Sequence, residues 1–290
     1  MSTIRALIMR RPVQAYYALV FAISWGGILI LVSPGGIPGT NEQVTRLFPS
    51  VLVVQFAGPS IAGLLMTGLV SGGAGLRELL SRLLRWRVAA RWYAAALLTG
   101  PILVAAILFS LSLASPVFTP GIVTTDDKGA LLLFGAAWGL IGGGLLEELG
   151  WTGFAVPRLR LRHGALTTGL VVGLLWGAWH FLIAFWAGRA LAGEQSLATF
   201  VGGFLAFYVL ALPAYRVLMV WVYDRTASLL VAMLMHAVLS ASTLILQPQT
   251  SAGNLTWNLV LAAALWIIVA AVAPRARGPL LNAAGPPRRA

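Results

Sequence analysis

The chain has 290 residues, of which 59% are hydrophobic and only 10% charged, with a mean hydropathy of +0.88 and a formal net charge of +12. Soluble domains carry roughly a quarter charged residues, so this composition excludes a soluble globular protein and points to a polytopic membrane protein. The lack of cysteine excludes disulfides, thiol nucleophiles and thiolate metal sites together, leaving His and carboxylate as the strong metal ligands.

A helix needs about 20 apolar residues to cross a bilayer core of about 30 Å. By that ruler the chain offers eight spans, at about 14–33, 49–71, 92–114, 129–156, 165–187, 198–222, 227–246 and 255–273. The breaks between them carry turn residues, among them PGGIPG after the first span, SGGAG after the second and QPQTSAGN after the seventh. Arg5, Arg10 and Arg11 precede the first span, as in a signal peptide, but its length and the lack of an A-x-A-like site predict a retained helix. The predicted fold is all-α, a bundle of about eight transmembrane helices forming one domain over 1–274, followed by a Pro-, Gly- and Arg-rich tail, 275–290, predicted to be disordered.

With an even number of spans both termini share a side, and most Arg residues fall there: before the first span, in Arg77 to Arg91, at Arg158, Arg160, Arg162 and Arg225, and in the tail. The opposite loops hold Arg46, Lys128 and Arg189 beside four carboxylates. The positive-inside rule then predicts a cell-membrane protein with both termini cytoplasmic. Arg spread over successive short loops is an orientation signal, so the net charge implies lipid and no nucleic acid as a partner. The stretch Arg77 to Trp92, which mixes Arg with Leu and Trp, is predicted to lie along the cytoplasmic interface as an amphipathic helix.

Few ionisable residues remain inside the spans: Glu147 and Glu148 in the fourth, His180 in the fifth, Arg216 in the sixth and His236 in the seventh. A charge at mid-bilayer costs on the order of 2.5–3.5 kcal/mol even on lenient scales, so such residues face the bundle interior and are functional candidates. Two adjacent carboxylates repel, so one can hold a proton near neutral pH, as a general acid or base requires. At about 1.5 Å per residue, Glu147, His180 and His236 fall in one layer, nearer the cytoplasmic half. Glycine stripes at Gly135, Gly139 and Gly143, and at Gly169, Gly173 and Gly177, predict that the fourth and fifth spans pack together and bring Glu147 towards His180. Trp138, Trp151, Trp176, Trp179 and Trp186 are predicted to pack the bundle or anchor it at the interface. Arg216 has two readings: it supplies positive charge to the Glu pair, or it snorkels to the cytoplasmic interface.

Taken in order, EELGWTGF with a following PRL, then WGAWHF, then YDRTASLLVAMLMHAVLSAS resemble the CPBP family of intramembrane metalloproteases, which includes the type II CAAX prenyl endopeptidases and the bacteriocin-processing ABI proteins. The motifs span about Leu132 to Ser242, and the resemblance implies a protease core at about 129–246. It also implies that Glu147 activates a water with Glu148 beside it, that His180 assists, and that His236 polarises the scissile carbonyl or holds the oxyanion. A Glu with two His can supply the base, acid and oxyanion donor of peptide hydrolysis. The same Glu147, His180 and His236 can instead hold a divalent zinc-type ion with a water in the fourth position, and the spacing fits either option. The chain departs from the family pattern at Thr152, where the family has Arg, at Ser240, where it has Asn, and mildly at Trp176, where Phe is usual.

The resemblance implies an endopeptidase acting on a lipid-modified or hydrophobic peptide that arrives from the cytoplasmic side. Thr152 and Ser240 keep open a catalytically inactive pseudoprotease or immunity scaffold, and the Glu and His set keeps open a proton-coupled transporter, against which no inverted repeat is found. One Lys against many Arg, and compact loops, look bacterial.

Overall fold

The computed structural model describes residues 3–192, 196–248 and 253–272. Among them there is no strand, and eight helices are long and apolar enough to cross a membrane: Pro12–Gly35, Asn41–Leu83, Ala90–Ser112, Lys128–Arg160, Ala165–Gly188, Leu197–Thr226, Leu229–Leu246 and Asn254–Val272. These coincide one for one with the spans predicted from hydropathy, and the chain is a multi-pass, all-α membrane bundle. The predicted tail, 275–290, lies outside the described residues.

The second span departs most from expectation. It runs 43 residues and continues through SGGAG to Leu83, broken only at Gly72, whose φ of 60° and ψ of −160° suit glycine alone. The stretch Arg77 to Trp92 is therefore not one interfacial helix: it is helical to Leu83, irregular over 85–89, and helical again from Ala90. Arg82, in the last turn of this helix, faces inward and is buried. Its Nη1 donates to the Tyr223 hydroxyl at 2.9 Å and its Nη2 to the Gly153 carbonyl at 3.1 Å.

That carbonyl needs a donor because Pro157 has no N–H to give it. The same logic operates at Pro59, which leaves the Gln55 carbonyl open; Ser24 of the first span donates its hydroxyl there at 2.7 Å. Trp179 of the fifth span then donates its indole N–H to Ser24 Oγ at 2.9 Å. Two prolines thus generate ties between spans, because every buried carbonyl in the bilayer must be satisfied.

Both glycine stripes mark close approach, but to partners other than those predicted. A Cβ on Gly139 would stand 2.2 Å from the Ala237 carbonyl oxygen, and one on Gly135 would meet Ile245, so the fourth span packs on the seventh. A Cβ on Gly169 would meet Val217, on Gly173 Pro213 and on Gly177 the Tyr208 carbonyl, so the fifth span packs on the sixth. Spacing reveals that a helix face is narrow and says nothing of which helix fills it.

The fourth span is π-helical over Trp138–Glu147 and Trp151–Ala155, and the sixth over Leu205–Ala211. Such wide turns often sit at functional sites. Here they end on Glu147, resume just after Glu148 and precede Arg216.

Gly139→Val should drive a side chain into the Ala237 carbonyl and abolish monodisperse, folded protein in size-exclusion chromatography. Gly164→Ala, where a Cβ meets nothing within 4 Å, should leave the melting temperature unchanged.

Candidate active site

Adjacent residues on a helix project about 100° apart, so neighbouring carboxylates can face different surroundings. Glu148 points into a closed polar knot. Arg216 grips it bidentately, Nη2 to Oε1 and Nη1 to Oε2, both at 2.8 Å, with the side chains of both residues fully buried. His236 Nδ1 lies 2.7 Å from Oε1, and Thr152 donates its hydroxyl to Oε2 at 2.5 Å. The two oxygens of Glu148 thus hold four polar contacts. A charge-assisted bidentate pair of this kind is the strong form of the interaction.

Arg216 therefore does not snorkel. Its guanidinium also lies 4.3 Å from the Trp176 ring centroid, a cation–π contact that closes the knot from the fifth span. The family motif's Arg is missing at Thr152, and a guanidinium from the sixth span stands against Glu148 in its place.

Glu147 has a different setting. Its Oε2 accepts indole N–H groups from Trp151 at 3.0 Å and Trp176 at 2.6 Å, while Oε1 has no hydrogen bond among the described residues. Two tryptophans predicted as packing are thus carboxylate donors. The signal for Trp151 was present in the sequence, since it lies four residues after Glu147, one helical turn away.

Glu147, Trp176, His180, His236 and Ser240 all line one cavity of about 440 Å³. His180 is half-buried, and its Nδ1 donates to the Trp176 carbonyl at 2.9 Å, which leaves Nε2 unengaged. Its ring packs on Trp179 and on Tyr208, with centroids 4.7 and 4.9 Å away. Tyr208 also lines the cavity and was missed by sequence reasoning, because nothing in its motif-free surroundings marks it. With Nδ1 on Glu148, His236 directs Nε2 towards Gly143, where a Cβ would sit 2.9 Å from that nitrogen and 2.6 Å from Ser240 Oγ. Gly143 is glycine so that His236 and Ser240 can approach the fourth span.

Among the described residues no three His or carboxylate side chains are grouped so as to hold a metal ion. Glu147 Oε2 is taken by two indoles, and Trp176 stands beside each imidazole, 6.0 Å from His180 and 4.7 Å from His236 between ring centroids.

Fold and site together define a membrane-embedded helical bundle in which one carboxylate, Glu147, and two imidazoles, His180 and His236, line one cavity. Residues 128–242 match the family model described as Rce1-like, Type II CAAX prenyl endopeptidase Rce1-like, and this stretch is Rce1-like in sequence, as its motifs indicate. No curated protein matches the chain.

Removing one partner of a buried ion pair costs about 3–5 kcal/mol. Arg216→Met should therefore lower the thermal unfolding midpoint in detergent strongly, whereas Glu148→Gln/Arg216→Met, which strands no charge, should recover most of the loss. Thr152→Arg, which adds a second guanidinium to an already neutralised carboxylate, should destabilise; Thr152→Arg/Arg216→Leu should be better tolerated than either single change.

Proposed function

We propose that the protein is an intramembrane endopeptidase in which Glu147, and not Glu148, activates the attacking water. The observation that carries this reading is the division of labour within the Glu pair: Glu148 is held on both oxygens, whereas Glu147, whose Oε1 is unengaged among the described residues, lines the cavity.

Charge counting assigns the remaining roles. Glu148 and Arg216 cancel, so an ionised Glu147 is balanced when His236 carries a proton on both nitrogens. In that form Nδ1–H donates to Glu148 and Nε2–H is a donor facing the cavity. A water against Glu147 Oε1 gives its proton to the carboxylate and attacks the scissile carbonyl. The oxyanion that forms accepts from His236 Nε2–H, with the Ser240 hydroxyl alongside. Glu147 then returns the proton to the departing amine, the C–N bond breaks, and the carboxylate is regenerated. His180, its Nδ1–H fixed on the Trp176 carbonyl, offers Nε2 as an acceptor that orients the water.

The cavity wall is largely apolar, with Phe48, Phe56, Phe204 and Phe207 among its residues, which supports a hydrophobic or lipid-modified peptide as substrate. The Arg distribution supports a cell membrane with both termini cytoplasmic, and one Lys against many Arg, with compact loops, supports a bacterial source. Arg216 weakens the pseudoprotease alternative, because the charge missing at Thr152 reaches Glu148 from another helix.

Detergent-purified protein should cleave members of a quenched fluorescent peptide library that includes farnesylated CAAX-type peptides. Glu147→Gln, which preserves the acceptor for both indoles, should lower kcat by about 10²–10⁴-fold, the usual worth of a general base, without shifting the melting temperature. Phenanthroline should leave turnover intact. Turnover retained in Glu147→Gln, or abolished by the chelator, would overturn this mechanism, and a folded wild type with no turnover on any peptide would favour the inactive scaffold.

A further inference from the structure

The cavity has a direction. Its innermost residues, Glu147, Trp176, Leu212 and His236, form one layer, and from there its lining proceeds only one way along each span. On the fifth span it runs from Trp176 through Ile183 to Leu191, on the sixth it begins at Thr199, and on the seventh it climbs from His236 to Gln247. Those ends belong to the loops that follow the fifth and seventh spans, at the Arg-poor end of the bundle. Leu191, Thr199 and Gln247 are exposed there, so among the described residues the cavity opens at that end.

Towards the Arg-rich end the described residues are packed shut. Beneath the Glu148–Arg216 pair lie Trp151, Phe154 and Leu229, all with no exposure. Further down, Arg82 is bonded to Tyr223 and Gly153, Arg160 Nη2 sits 2.8 Å from Asp224, and Ser228 donates to the Arg85 carbonyl at 2.7 Å. Each tie joins segments that would have to separate for a peptide to reach Glu147 from that side.

Resting on the peptidase reading above, we propose that the substrate is a peptide segment reaching Glu147 from the Arg-poor face, which the positive-inside rule makes the extracytoplasmic one. The substrate class is then an exported or membrane-anchored polypeptide presented outside the cytoplasm. This reverses the cytoplasmic access that the family resemblance implies, and the reason is that the ion-pair knot plugs the other end.

The cysteine-free chain allows a direct test that does not depend on activity. Single variants Ala184→Cys and Ser240→Cys place a thiol in the cavity, Lys128→Cys marks the Arg-poor face, and His163→Cys marks the Arg-rich face. Sealed vesicles of each orientation are treated with a membrane-impermeant thiol reagent. Labelling of both cavity positions in the vesicles that label Lys128→Cys, and at least tenfold slower labelling in those that label His163→Cys, is the expected result. Labelling in the opposite vesicles, equal labelling in both, or none in either while the loop controls react, overturns the proposal. Because no turnover is measured, any of these outcomes leaves the peptidase reading to its own assay.

Discussion

The site depends on one buried ion pair. Two adjacent carboxylates in the bilayer core repel each other and are costly to charge. Arg216 resolves the conflict by neutralising Glu148 with two hydrogen bonds at 2.8 Å, and His236 and Thr152 complete its coordination. Only then can Glu147 face the cavity as an independent group. The pair also fixes the imidazole of His236, since the Nδ1 contact determines which nitrogen faces the cavity.

The surrounding helices are arranged to make that knot possible. Gly143 allows the seventh span close enough to bring His236 and Ser240 beside the fourth, and Gly173 admits Pro213 and the Cβ of Arg216 against the fifth. Trp176 joins three functions in one side chain: its indole N–H donates to Glu147, its ring receives the Arg216 cation, and its carbonyl holds His180. A Phe at this position would keep the ring and lose the N–H. The chain's departures from the family pattern, Trp176, Thr152 and Ser240, all lie at the knot or beside it, which is where a relocated charge would demand compensation.

Much of this was legible in the sequence because the bilayer imposes a simple rule. Hydropathy located all eight spans, and the cost of intramembrane charge singled out Glu147, Glu148, His180, Arg216 and His236. Partner choice was less legible. Glycine spacing marked narrow faces but did not say that the fourth span meets the seventh and the fifth meets the sixth, since that depends on lateral order in the bundle. Trp151 and Trp176 were assigned to packing because an indole has both an apolar face and a donor edge, and only geometry shows which is used. Arg82 belongs to an Arg-rich segment whose composition suits an interfacial helix, yet Pro157 leaves a carbonyl that draws it inward.

The central claim is that Arg216 frees Glu147 to act by neutralising Glu148. It is tested most directly by the hydrolysis rate of Arg216→Gln, measured on folded protein beside wild type and Thr152→Arg/Arg216→Gln. The account predicts that Arg216→Gln loses turnover and that returning a guanidinium at position 152 restores part of it. Wild-type turnover in Arg216→Gln would contradict the account.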